Sequence, residues 1–311
     1  MDLIAGILHT SLLAGGVLAL AALGEVLAER VGVVNLGVEG LMALGAISGI
    51  AAVVTTRSPT AGFALALAVG FMVGMVFAAI TVYLRANQVL CGLALTLMGT
   101  GFAATVGKAY SGIPAPATFT GVEIPYLSSI PLIGQVLFTQ NVLVYLIYII
   151  LPVMLHFLMF RTRHGLNLRA VGENPAAADA AGIAVQRIRF WYVTAGAALA
   201  AGAGAYLTLA FVPSWSEGVV AGRGWIAVAL VIFAGYRPLN AVLAALLFGV
   251  ITSLGFVGQA RNWPIAAPVL SMLPYLGTIA FIVVPVVAWH RMRQAMAAPA
   301  ALGIPYYRDL R

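Results

Sequence analysis

Charge is what this chain has least of. Asp, Glu, Lys and Arg make up 8% of its residues, against about 25% in soluble domains. With 62% hydrophobic residues and a mean hydropathy of +1.04, a water-soluble globular domain is excluded. Cysteine is reduced to Cys91, so no intramolecular disulfide can form, and its apolar surroundings make it a packing residue. The four histidines (His9, His156, His164, His290) are scattered, none with a second ligand at metal-site spacing. No G-x-S-x-G turn offers a nucleophile. No G-x-x-x-x-G-K-[ST] loop is present either: Gly107-Lys108 runs into Ala109 without the upstream glycines, so ATP is not held by that route. No enzyme activity, bound cofactor or metal site is therefore expected of this chain. The formal charge of +7 is spread over the ends of apolar segments rather than gathered on a soluble surface, which argues against nucleic acid. Alternating ten-residue segments are missing, which removes a transmembrane β-barrel. A cleaved signal peptide has no basic leader to start it.

What the chain does have is apolar length. A hydrocarbon core of about 30 Å takes roughly 20 apolar residues per helix. Such stretches lie near 3–24, 37–55, 61–83, 89–107, 141–160, 190–212, 239–257 and 267–289, with a shorter one at 225–235. The expectation is an all-α membrane protein: a polytopic helical bundle forming one transmembrane domain over 1–311, with about nine crossings and a range of about 8–10. The range arises because 225–235, at about 1.5 Å per residue, covers only half the core and reads equally as a re-entrant or broken helix. The 34 glycines suit close helix packing, and Gly45/Gly49 and Gly70/Gly74 are small-residue pairs of that kind. Gly202-Ala203-Gly204 lies inside an apolar span and reads the same way, not as a dinucleotide loop.

Basic residues set the orientation. With nine crossings, Arg30, Arg85, Arg161, Arg163, Arg169, Arg187, Arg189, Arg237, Arg291, Arg293, Arg308 and Arg311 fall on one side, and Arg57, Lys108, Arg223 and Arg261 on the other. The richer side is expected to be cytoplasmic, which puts the N-terminus outside and the C-terminus inside. The proline-rich, sparsely charged stretch 108–139 is then external.

Four polar features interrupt the apolar pattern. The longest, Arg161 to Arg189, carries five arginines. At its centre Asn174 is a good N-cap, Pro175 suits the first helical position, Ala176 to Ala181 favour helix, and Gly182 offers a left-handed stop. Glu173 stands before this short helix, Ala177 lies in its middle and Asp179 is its one charge. A capped helix of small residues on a basic loop is shaped to be gripped by another protein; the plain alternative is a connector. The second feature, Gly24 to Gly40, interleaves Glu25, Glu29, Arg30, Asn35 and Glu39 with Gly and Val. Asn35 and Glu39 share a face if the segment is helical, while Gly32, Gly37 and Gly40 would let it unwind beside a water-filled space. One reading puts it on a translocation path; the other makes it a tight connection with Glu29 and Arg30 solvated. The turn at Asn87 and Gln88 joins the path reading more weakly. Last, Trp215, Glu217 and Arg223 are candidates for an external rim.

The segments ERVGVVNLGVEGLMALGA (29–46), RANQVLCGLALTL (85–97), VGENPAAADAAGI (171–183) and SEGVVAGRGWIAVALVIFAGYRPLNAVLAALLFG (216–249) resemble permease subunits of bacterial ABC importers. The similarity is to the simple-sugar and nucleoside branch, related to ribose and branched-chain amino acid permeases. It implies the type II importer fold in the bacterial cytoplasmic (inner) membrane. It further implies a partner ATPase that binds ATP and Mg and docks on a coupling helix, here Glu173 to Gly182. A second, homologous permease chain would complete a heterodimer, and an external substrate-binding lipoprotein would deliver the ligand. Nucleosides are the expected cargo, followed by simple sugars and then branched-chain amino acids. An ion-coupled secondary transporter is the competing class, suggested by polar residues at membrane depth.

Overall fold

The computed structural model describes residues 3–131, 133–288 and 297–308. Arg291, Arg293 and Arg311, which enter the orientation argument, lie outside them. The elements are α1 (Leu3–Arg30), α2 (Val38–Thr56), α3 (Pro59–Tyr83), α4 (Gln88–Gly107), α5 (Ile133–Leu137) and α6 (Val142–Arg161). They continue as α7 (Arg163–Glu173), α8 (Pro175–Ala180), α9 (Val185–Phe211), α10 (Arg223–Phe233), α11 (Pro238–Ala260) and α12 (Ala267–Ala288). Seven of them, α1 to α4, α6, α9 and α11, are long and apolar enough to cross a membrane. The polytopic all-helical bundle is as expected.

Local chemistry sets the boundaries. Ser58, Asn87, Asn141, Thr162 and Asn174 each turn a side-chain oxygen onto a backbone N–H of the helix that follows. Pro59, Pro175 and Pro238 stand where a missing N–H costs nothing. Pro152, inside α6, lacks the donor that an α-turn needs. The helix widens to a π-turn at Leu146–Ile150 just before it, which accommodates the ring.

α9 is the axis of the bundle, packed on α1, α2 and α3. Small residues make this possible. Gly45 faces the Ala201 backbone, Gly70 and Gly74 face Ala197, Gly204 faces Met42, and Gly24 faces Gly196. With no hydrophobic driving force between helices in lipid, such close backbone approach supplies the dispersion contact that holds them. α11 packs along the far side of α1, where Gly249 meets Ser11 and Ser253 Oγ donates to the Ile7 carbonyl at 3.0 Å.

Two expectations are corrected. α1 does not end near residue 24 but runs to Arg30, carrying Glu25 and Glu29 into the interior, each 2% exposed. Glu29 is therefore not solvated. The interval 161–189 is also less of a loop than its composition suggests: α7 fills its first part and α9 starts at Val185. Arg189 is consequently buried on a helix.

Candidate functional site

One end of the bundle, here termed the basic end, gathers Arg30, Arg85, α7, α8, Arg189 and Arg237. From it the chain does something that composition alone leaves open. After Arg30 it stays non-helical through residues 31–37 and follows α4 into the bundle. Val34 N donates to Gln88 Oε1 at 2.9 Å, Thr96 Oγ1 donates to the Leu36 carbonyl at 2.8 Å, and Gly99 lies against Gly40. From Gln88 to Gly99 is about 16 Å of helix, roughly half a hydrocarbon core. α2 thus begins at mid-depth. Helical pairing of Asn35 with Glu39 does not occur, because Asn35 sits on this unwound segment and Glu39 in the first turn of α2. The glycine-permitted unwinding does occur, with Gly32 at φ +86°.

Side chains replace the lost helical bonds. Asn35 N donates to Glu25 Oε1 at 3.0 Å, and Gly37 N donates to Asn35 Oδ1 at 2.9 Å. Backbone at membrane depth is tolerated only where such partners satisfy it.

A second unwound segment comes from the opposite end. Trp215 is buried against Gly107, at the far end of α4. The chain then descends to Gly222 (φ +75°), where α10 starts. Here the two half-depth segments meet. Gly222 N donates to Glu39 Oε1 and Gly224 N to Glu39 Oε2, both at 2.7 Å. The carboxylate occupies the N-terminus of α10, where unpaired N–H groups and the helix dipole favour negative charge. α10 then returns to the basic end. Its 11 residues cover about 16 Å, and Arg30 Nε donates to the Tyr236 carbonyl just beyond it at 2.8 Å.

Two cavities flank this junction. One of about 290 Å³ is lined by Glu39, Thr100, Trp215 and Glu217 among others. The other, about 300 Å³, lies between α1, α11 and α12 and is lined by Arg223, Thr252, Gln259, Ser271 and Tyr275 among others. Their linings mix these polar side chains with apolar ones such as Leu18, Phe256 and Ala43. Among the described residues no cluster of His, Cys, Asp and Glu could hold a metal.

The structure thus places Asn35, Gly37 and Glu39 along one descending segment, with Gln88 holding Val34 at its base and Glu39 lying at its deep end. Asn87 stands apart as the exposed N-cap of α4, its Oδ1 accepting from Leu90 N at 3.1 Å. The three residues grouped as a rim are split: Trp215 is buried, Glu217 is exposed on the Glu39 cavity, and Arg223 opens α10 at depth beside the other cavity. Sequence reasoning missed the partnership of Glu39 with the start of α10, and the role of Glu25.

At the basic end α8 has the form read from its residues. Asn174 Oδ1 accepts from Ala177 N at 3.0 Å, Pro175 opens the helix, and Gly182 at φ +81° closes it. Ala178 is buried, while Ala176, Ala177 and Ala180 are exposed. Glu173 is exposed beside it, and Asp179 pairs with Arg308 at 3.3 Å.

The family described as "Branched-chain amino acid transport system / permease component" matches residues 7–284. A Haloferax volcanii protein named as a glucose ABC transporter permease is 38% identical over the full length of both chains. A nucleoside ABC transporter permease of Lactococcus lactis subsp. cremoris is 35% identical, covering 84% of this chain and 86% of its own. A guanosine ABC transporter permease of Bacillus subtilis is 31% identical over 94% of each. No solved structure matches.

Proposed function

The chain belongs to this permease-component family, in its simple-sugar and nucleoside branch, and from that membership we propose that it forms half of the path of an ATP-driven nucleoside importer. The ion-coupled transporter loses its ground, since the family is one of ABC permeases. The observation that carries the proposal is the junction at Glu39. Two unwound segments enter from opposite ends and are joined by a single carboxylate, and one of them starts just after Arg30, whose carbonyl lies against Gly172 on the helix that leads into 175–180. A motion applied to that helix has a short route to mid-depth.

In this reading the basic end faces the cytoplasm, and a partner ATPase grips the exposed face of Ala176, Ala177 and Ala180. A second, homologous permease chain completes the path, and an external binding lipoprotein delivers the cargo. ATP stays with the ATPase. Nucleotide binding drives the change only by favouring one conformation over the other. Asn35, Gly37 and Glu39 would shape the middle of the path, with Gln88 at its basic-end base and Glu217 and Arg223 on its flanks.

Nucleosides lead because two of the three relatives named above carry nucleoside or guanosine in their names. Glucose or another simple sugar is the second reading, favoured by the Haloferax relative. Both cargoes present sugar hydroxyls to the loosely polar cavities. The deciding experiment is uptake into proteoliposomes holding this chain, its candidate permease partner, the ATPase and the binding protein, with labelled guanosine as cargo. ATP-dependent uptake blocked by adenosine, and not by glucose or leucine, supports the proposal. Competition by glucose instead moves the cargo to a sugar, and uptake indifferent to ATP overturns the mechanism.

A further inference from the structure

Residues 297–308 carry two prolines, Pro299 and Pro305, and no helical period. They fold as turns: Leu302 N donates to the Pro299 carbonyl at 3.0 Å, Ile304 N to the Ala301 carbonyl at 3.2 Å, and Gly303 takes φ +77°. The segment lies flat on the basic end, and several of its residues from Ala300 to Arg308 are tied down. Ala301 N donates to the Gly172 carbonyl at 2.9 Å and Ala300 N to Glu173 Oε2 at 3.2 Å, both on α7. Gly303 N donates to the Gly32 carbonyl at 3.1 Å, on the unwound segment after α1. Arg189 of α9 is 2% exposed and donates to the Ile304 carbonyl at 3.0 Å. The Arg85 guanidinium lies over the Tyr307 ring at 4.9 Å, and Arg308 closes the series on Asp179 of α8.

We propose that this C-terminal strap is a positioning element that couples the helix at 175–180 to the unwound segment 31–37. The inference rests on the reading of the chain as an ATP-driven permease. Its basis is connectivity. The strap holds α8 through Asp179, the preceding helix through Gly172 and Glu173, and the base of the mid-depth segment through Gly32. It leaves Ala176, Ala177 and Ala180 exposed, so it braces the docking helix without covering the face a partner would grip. A displacement of α8 is thereby passed through the Asp179–Arg308 ion pair to the strap, through the Gly303 N–H to the Gly32 carbonyl, and from there along 33–37 to Glu39.

Gly303→Pro tests this. Proline removes the N–H that bonds Gly32 and cannot take a positive φ, while every residue of the docking helix stays in place. The readout is cargo transported per ATP hydrolysed in the reconstituted complex, with co-purification of the ATPase as the measure of assembly. The expected result is normal assembly, ATP hydrolysis within about twofold of wild type, and transport per ATP lowered about tenfold, within the usual range of coupling between sites. If Gly303→Pro does not assemble, Arg308→Asp decides. It breaks an ion pair whose arginine is mostly exposed and should lower transport per ATP about threefold. A wild-type ratio in the assembled variant overturns the strap's role, as does a fall of hydrolysis and transport in equal proportion. If the wild-type complex itself shows no ATP-driven uptake, the transport reading falls and the coupling role falls with it.

Discussion

Glu39 and Gly222, 183 residues apart, are joined at 2.7 Å where two half-depth segments meet. The second carboxylate oxygen takes Gly224 N at the same distance, so both oxygens are spent on backbone donors of one helix start. Glu39 belongs to the first turn of α2 and therefore fastens the beginning of one interrupted helix to the beginning of another. Charge-assisted bonds of this type contribute about 1.5–3 kcal/mol each. The contact is thus strong enough to hold one conformation and small enough for a partner's binding energy to overcome.

Glu39→Gln is expected to damage transport more than folding. The amide keeps one acceptor but turns an NH2 group toward a backbone N–H, leaving that donor unpaired at a cost of about 1–3 kcal/mol. Uptake should fall at least about tenfold, while the protein still inserts and co-purifies with its ATPase. Uptake at the wild-type level would remove the junction from the mechanism.

The spans and the helix at 175–180 were legible in the sequence because their signals are local. A bilayer demands long apolar runs, and Asn174, Pro175 and Gly182 mark a start and a stop within nine residues. Glu39 was visible as a costly group at depth, but its partners were not. They are backbone N–H groups, which every residue but proline carries; Gly222 and Gly224 permit the left-handed turn and the close approach to Glu39, but among 34 glycines they do not single out that partner. Arg189 misled for a related reason: it reads as one more basic residue of a loop, and only its bond to the Ile304 carbonyl shows why it is buried. The strap has neither periodicity nor charge pattern, and its meaning lies entirely in where it lands.

Ala177→Trp should break docking at the exposed face of α8. Ala177 is exposed and Ala178 buried, so the indole has room to project outward without disturbing the packing beneath. Expression and membrane insertion should match wild type, with ATPase association or transport per ATP reduced at least about fivefold. Asn174→Ala should act more gently on the same helix. Loss of its cap costs about 1 kcal/mol and should speed hydrogen exchange at the Ala177 amide about fivefold. Wild-type uptake in a well-expressed Ala177→Trp protein would count heavily against this face as the docking surface.

Gly45→Ala and Gly6→Ala should change stability in opposite directions. A methyl at Gly45 runs into the backbone of Ala201 on the central helix, whereas one at Gly6 meets nothing within 4 Å. Overpacking of this kind costs about 1–3 kcal/mol, and replacing a helical glycine in open space gains about 0.5–1 kcal/mol. Melting in detergent should therefore drop by several degrees for Gly45→Ala and hold or rise for Gly6→Ala. Equal melting temperatures would mean that α2 and α9 pack less closely than described.

Asn35→Leu separates two polar positions that the sequence places on the path, Asn87 more weakly than Asn35. Asn35 is 1% exposed, and its Oδ1 is the acceptor for Gly37 N where the chain is unwound. Leucine fills the space but leaves that buried N–H without a partner, a cost of about 1–3 kcal/mol borne by the segment 31–37 rather than by the bundle. Asn87 makes the same kind of bond to Leu90 N but sits at an exposed helix start, where water can replace it. Asn35→Leu should therefore lower uptake several-fold with ATPase association intact, and Asn87→Ala should leave uptake near wild type. If the two variants lose uptake equally, the effect is one of general stability. If Asn35→Leu loses none, the unwound segment is a connector, and the path must be sought along the cavity beside Arg223.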